Sequence, residues 1–153
     1  ENISEKRMNQ LHDLLEDGPT GFFEIVREYF RKRIIFDLEH PVESIFLYNA
    51  LRENNASEVK SIIEDYKKEV LLFISSLVVV FQKKGEIIND ISPEVSSHLI
   101  YQTQMGIYEY LSVFKGIDYS IITPEKDSFP VSEKVFMEAA DEMLTIVKSG
   151  LKN

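Results

Sequence analysis

Cysteine and tryptophan are absent from the 153 residues, and glycine and proline number only six and five. Without cysteine there is no disulfide, no thiolate-bound metal and no thiol nucleophile. That fits a reducing compartment, and a cytoplasmic protein is expected. Histidine is scarce as well: His12, His40 and His98 are the whole supply. No two of them stand at helical metal spacing and no HExxH pattern occurs, so surface or capping roles are expected and no metal site is. Phosphate-cradling glycine loops, the GxGxxG fingerprint and the GxSxG elbow are missing too, and we expect neither an enzyme nor a cofactor. The longest apolar run, Val70–Phe81, is interrupted by Ser75 and Ser76. It is shorter than the roughly 20 residues a bilayer span needs. No leader of charged, apolar and small blocks opens the sequence, so we expect a soluble intracellular protein with no membrane partner. Positive charge is in deficit, with 17 Lys and Arg against 26 Asp and Glu, a net of −9. Such a surface repels phosphate backbones on average, so this piece is not expected to grip DNA by itself.

The chain is rich in aromatic side chains, 10 Phe and 7 Tyr, and its length suits one domain. Proline and glycine fall between apolar-periodic segments, the punctuation of an all-α protein of about six helices. The first is expected over about Ile3–Asp17, with Asn2 as cap, Glu5 at capping-box spacing and Gly18-Pro19 as its stop. The second covers about Thr20–Glu39, where Phe22, Val26, Tyr29 and Arg33 share one stripe beside Phe23, Phe30 and Ile34. Pro41 opens a third helix, whose apolar side is Val42, Ile45, Phe46 and Ala50, and Asn54-Asn55 stops it. The fourth runs about Ala56–Lys84 from an Asn55 cap to Gly85. From Val70 to Phe81 it is apolar almost all round, which predicts a helix surrounded by others. The fifth starts at Ser92-Pro93-Glu94 and stops at Gly116. Ile117–Pro130 reads as a loop, and the sixth helix covers about Val131–Ser149.

The segment Lys84-Gly85-Glu86-Ile87-Ile88-Asn89-Asp90-Ile91-Ser92-Pro93-Glu94 resembles a stretch common in TetR-type transcriptional regulators. There a long helix ends at glycine, a link containing an aspartate follows, and a Pro-Glu or similar pair opens the next helix. Ile100–Leu111, with Gly106-Ile107 inside it, resembles that family's next helix, and the order and lengths of the other helices fit. The resemblance covers most of the chain. It implies a single ligand-binding and dimerisation domain over 1–153, led by a connector helix at 1–17, which forms a homodimer and takes a small lipophilic effector into an internal pocket. The family's DNA-reading helix-turn-helix head has no counterpart here, since no turn between two short basic helices precedes the connector. DNA contact is therefore expected only through a domain outside this sequence.

For the pocket wall the candidates are Phe22, Phe23, Tyr29, Phe30, Phe46, Tyr48, Tyr66, Phe73, Tyr101, Gln104 and Tyr108. Plain core packing is the competing reading of each phenylalanine. A buried phenol needs a hydrogen-bond partner, which a ligand can supply. Tyr66, Tyr101, Gln104 and Tyr108 are accordingly the expected polar groups of a mostly apolar pocket. The fifth helix has two apolar arcs at about 100° per residue. Ile100, Gln104, Ile107 and Leu111 lie on one, with Tyr101 and Tyr108 adjoining; Leu99, Gly106, Tyr110 and Val113 lie on the other. The second arc is assigned to a partner subunit, together with Ala139, Met143 and Ile146 of the last helix, in a four-helix seam. The competing reading keeps both arcs internal.

The basic group Arg27, Arg31, Lys32 and Arg33 is preceded by Glu24 and Glu28 along the same helix, so surface ion pairs explain it. A carboxylate-bearing ligand or a phosphate is the alternative. Paired acids such as Glu64-Asp65 and Asp141-Glu142 read as solvated faces. A second functional class stays open beside the regulator: a helical protein-interaction module, or a lipid carrier.

Overall fold

The computed structural model describes Asn9, Asp13 and residues 21–53, 57–119 and 128–153. Within them the chain forms five helices: α1 (Phe22–Glu39), α2 (Pro41–Glu53), α3 (Ser57–Lys83), α4 (Pro93–Lys115) and α5 (Glu133–Leu151). The all-α expectation holds, and the only extended pairing among the described residues is an isolated antiparallel bridge between Ile87 and Lys152. Apart from Asn9 and Asp13, the expected connector helix at 1–17 lies outside the described residues, as do the Asn55 cap and the middle of the 117–130 loop.

Local chemistry sets the helix ends. The Ser92 hydroxyl accepts from the Val95 amide at 3.2 Å, and Pro93 follows at the first helical position, where its missing N–H costs nothing. At the other end of α4, Gly116 takes a left-handed φ of 67°, a conformation that any Cβ would resist. The end of α3 closes in a Schellman arrangement: Glu86 N–H reaches the Phe81 carbonyl and Gly85 N–H the Gln82 carbonyl, both at 3.0 Å, with Gly85 at φ 80°. The last helix starts two residues later than expected, because Ser132 takes the cap and accepts from the Val135 amide at 3.2 Å. Val131 and Phe136 occupy the two positions of a hydrophobic staple across that cap, and both are buried.

The long helices α3 and α4 are joined by a short link and pack most intimately; α5 lies against α1 and α4. The core side of α3 is Ile63, Tyr66, Val70, Ile74, Leu77 and Phe81, spaced by threes and fours so that one face stays inward. The expectation that this helix is surrounded is not met by the described residues. Ile62, Leu72 and Val80 are exposed, because the described neighbours of α3 lie along its Val70 side. The apolar side expected for α2 is also revised. Ser44, Leu47 and Tyr48 turn inward, while Val42 and Phe46 face solvent.

One end of the bundle is tied by its links. Glu86 reaches the first amide of α1, its carboxylate accepting from Phe22 N–H at 3.2 Å. This acid sits where the helix dipole favours negative charge. The C-terminal residues return to the same stretch: Ile88 N–H donates to the Leu151 carbonyl at 3.0 Å, Asn153 N–H to the Glu86 carbonyl at 3.1 Å, and the Asn153 side-chain amide to the Gly85 carbonyl at 3.1 Å.

Candidate functional site

Helical geometry separates the four basic residues that the sequence places together. Arg27 forms a two-pronged ion pair with Asp141 of α5, at 2.7 and 3.1 Å, which raises its pKa. Arg31 pairs with Glu28 at 3.0 Å and with Glu133 at 3.3 Å. Arg33, about 200° round the helix from Arg31, points into the protein and is only 4% exposed. It therefore leaves the surface group to which the sequence reading assigned it. Asp37, one turn on, is 1% exposed, and Gln104 of α4 is sealed completely.

These three groups organise the interior. Gln104 Oε1 accepts from Arg33 Nε at 3.0 Å and also from Arg33 Nη1, and its amide nitrogen donates to the Tyr29 hydroxyl at 2.9 Å. The opposite amide orientation would aim N–H groups at a guanidinium, so the network itself fixes the direction. The Tyr108 hydroxyl donates to Asp37 Oδ2 in a short hydrogen bond. That oxygen is 3.9 Å from Arg33 Nε, close enough for attraction and too far for a hydrogen bond. The Arg33 guanidinium also lies 5.4 Å over the Tyr108 ring. Burial alone would lower the Arg33 pKa; Tyr108, Asp37, Tyr66 and Tyr29 outweigh it, and the net shift is well upward. The residue stays a cation.

Rings close the site on the side of α2 and α5. Tyr48 and Phe136 each stand 5.3 Å from Tyr108, centroid to centroid, and Tyr119 stands 5.9 Å away. The Tyr119 hydroxyl donates to the Tyr108 carbonyl at 2.9 Å, and burial pushes its phenol pKa up, with Tyr48 and Asp37 adding to the shift. Tyr101 is different. It is buried, yet its hydroxyl has no hydrogen-bond partner. Burial pushes its pKa up to about 12, with Arg33 pulling the other way and Tyr66 adding.

Tyr101 also forms part of the wall of a half-open cleft of about 270 Å³, lined besides by Tyr48, Lys67, Gln102, Met105, Gly106 and Glu109. A Cβ placed on Gly106 would meet nothing within 4 Å, so the missing side chain is part of the space. Of the expected pocket residues, Tyr29, Tyr48, Tyr66, Tyr101, Gln104 and Tyr108 therefore gather around Arg33 or at the cleft. Phe22 and Phe23 lie at the far end of α1 with Phe81, where Lys148 covers Phe23. Phe30 stacks edge-on against Tyr29, and Phe73 is only partly buried at the core margin. Phe46 is 62% exposed and lines no interior space. In a helix of 13 residues with apolar side chains at many angles, periodicity does not single out the inward face.

The two arcs of α4 separate cleanly. Ile100, Tyr101, Gln104, Ile107, Tyr108 and Leu111 are buried, whereas Val95 and Leu99 are exposed and Val113 and Phe114 reach 67% and 75% exposure. Tyr110 is partly buried and stacks on Phe114 at 5.4 Å. On α5, Ile146 is 75% exposed and Met143 partly buried, but Ala139 is turned into the protein's own core and is removed from the outward set. Its neighbours Phe136 and Ala140 belong to the same buried face, on which a side chain as small as alanine is easily counted with the adjoining stripe.

Arg33, Asp37, Tyr119 and Phe136 are site residues that the sequence reading did not assign. A signal for the first two existed: Arg33 continues the apolar stripe of Phe22, Val26 and Tyr29, and an acid follows it at four residues. Among the described residues no group of three or more His, Asp or Glu is placed to hold a metal ion, and no helix is long and apolar enough to cross a membrane. Comparison with protein-family models, curated proteins and solved structures finds no match to this chain.

Proposed function

We propose that this chain is the effector-binding and dimerisation body of a ligand-responsive transcriptional regulator of the TetR type. The observation that carries the reading is the double role of α4. One arc of this helix walls the Arg33 cluster; the other is largely apolar and uncovered, and Gln102, Gly106 and Glu109 on the outer side of the helix line the cleft. The outward positions Val95, Leu99, Thr103, Tyr110, Val113 and Phe114 are uncharged, in a chain whose composition is 28% charged, and the exposed Glu109 flanks them on the cleft side. Thr103 hides its hydroxyl on the Leu99 carbonyl at 2.8 Å, which makes the surface still less polar. From Val95 to Phe114 the stripe is about 28 Å long at roughly 1.5 Å per residue. Contiguous apolar surface of this kind marks an interaction site.

A second copy of the chain is the occupant we propose. A net charge of −9 disfavours contact between copies everywhere except on an uncharged patch such as this one. A standard isologous seam buries about 800 Å² per partner, and the exposed Ile146 of α5 adds a further apolar side chain to the outer surface. In this reading the effector binds beside Tyr101 and changes the pose of α4, and with it the spacing of two DNA-reading heads carried outside this sequence. It must bind one shape of the body more tightly than the other. The protein would act in the cytoplasm. The test is mass measurement by analytical ultracentrifugation across micromolar concentrations. We expect a dimer that Leu99→Lys together with Val113→Glu converts to a folded monomer. A native chain that stays monomeric would remove the regulator reading and leave the carrier or interaction module in its place.

A further inference from the structure

We infer that the cleft beside Gly106 is completed by the second copy of the chain, which forms its missing outer wall, so that occupancy of the cleft and dimerisation depend on each other. This rests on the dimeric, effector-binding reading above and adds how its two surfaces are connected.

The connection lies in the register of α4. Leu99, Gly106 and Val113 follow one another at seven-residue intervals. At about 100° per residue, Gly106 therefore lies within about 20° of the other two and about two turns from each. Leu99 and Val113 are apolar and exposed, and a body that packs on both must cross Gly106 between them. Gly106 is also part of the cleft wall, with Gln102 one turn before it and Glu109 one turn after it on the same edge. No side chain holds a neighbour away at this point, and a Cβ placed there would meet nothing within 4 Å. Glycine in such a place lets another element come close.

The cleft of one copy is half a site. About 270 Å³ lies at or below the lower end of the range for small-molecule pockets. Its inner side is made by the buried Tyr48 and Tyr101, whereas Gln102 and Glu109 at its outer edge are exposed. A molecule held there by one copy keeps much of its surface in water, while ligand pockets bury most of theirs. The lining carries one charge of each sign, Lys67 and Glu109, and so adds no net charge to the contact between copies. A molecule that touches both copies strengthens the dimer by the same factor by which the dimer strengthens its binding. The effector then acts on the seam itself and needs no separate path through the core.

The chain has no cysteine, so a single introduced cysteine reports on one position. Val113→Cys marks the stripe, Met105→Cys and Glu109→Cys mark the cleft, and Lys60→Cys on the exposed side of α3 is the control. Each variant is alkylated with iodoacetamide in the presence of a phosphine reductant. Protein concentration is varied across the monomer–dimer transition, which analytical ultracentrifugation follows on the same samples. Circular dichroism checks folding, and the exposed Glu109 position carries the test if Met105→Cys does not fold. We expect the stripe and cleft cysteines to react about tenfold or more slowly in the dimer than in the monomer, since only the dissociated fraction is open to reagent, and Lys60→Cys to react equally in both. Protection of Val113→Cys while the cleft cysteines react as fast in the dimer as in the monomer would overturn the shared cleft and leave the dimer standing. A chain that stays monomeric at every concentration would overturn both.

Discussion

The two ends of α1 sit in surroundings that are equally aromatic and held by different forces. At its start, Phe22 packs edge-on against Phe23 and Phe81 beside Ile87 and Leu151, and the hydrogen bonds there are those of helix ends and links. Three to four turns later, Arg33 and Asp37 lie buried among Tyr29, Tyr108 and Gln104. The first end is what a helical bundle needs to stay folded. The second is not, because a buried ion pair seldom stabilises more than well-packed apolar residues of the same volume. Under the proposed function, a charged pair kept where greasy side chains would serve as well belongs to recognition.

Three variants break or sharpen that contrast. Phe22→Ala removes a fully buried ring from the apolar end and is expected to cost about 3–5 kcal/mol of unfolding free energy in urea titration. Asp37→Ala leaves Arg33 charged and without its carboxylate, and a comparable loss of about 3–5 kcal/mol is expected. The informative partner of that variant is Arg33→Met combined with Asp37→Leu, which should recover much of that loss, less what the orphaned Tyr108 hydroxyl and Gln104 amide cost. If the double variant is as damaged as Asp37→Ala alone, the polar end is structural after all and the contrast fails.

The smallest effect is a pH dependence. Tyr101 titrates near 12 when folded and near 10 when unfolded. Between those values the unfolded chain has released a proton that the folded chain still holds, so stability falls as pH rises. The contribution is complete below about pH 10 and gone above about pH 12, and two units correspond to about 2–3 kcal/mol. Tyr101→Phe should flatten the alkaline limb of stability by about that amount when urea midpoints are followed from pH 9 to 12. Parallel limbs would mean that the Tyr101 phenol is better solvated than its burial implies.

What the sequence discloses divides along similar lines. Ser92-Pro93-Glu94 and Gly116 mark the ends of α4 correctly, because capping is settled by a few neighbouring residues. The split of α4 into an inward arc through Gln104 and an outward arc through Val113 is legible for the same reason: one long helix with clear periodicity carries it. The inward turn of Arg33 is hidden by its proximity to Arg31 and Lys32, which makes three cations look like one surface group. Their angular separation shows which one is swallowed. Phe46 and Ala139 mislead differently, since an apolar side chain tells little about direction when its helix offers several apolar stripes. Asp37 and Tyr119 gain their roles from partners 71 and 11 residues away, Tyr108 in both cases, and pairings of that kind leave no local pattern.

The stretch Gly85–Ile88 has a consequence for how the molecule opens. It holds the first amide of α1 through Glu86, and Leu151 and Asn153 through backbone and amide bonds. Fraying of α5 therefore releases the knot that also steadies the first turn of α1. In hydrogen exchange the amides of Phe22, Ile88 and Asn153 should lose protection as one cooperative unit. A label or tether attached at Asn153 would report on that shared opening and not on the tail alone.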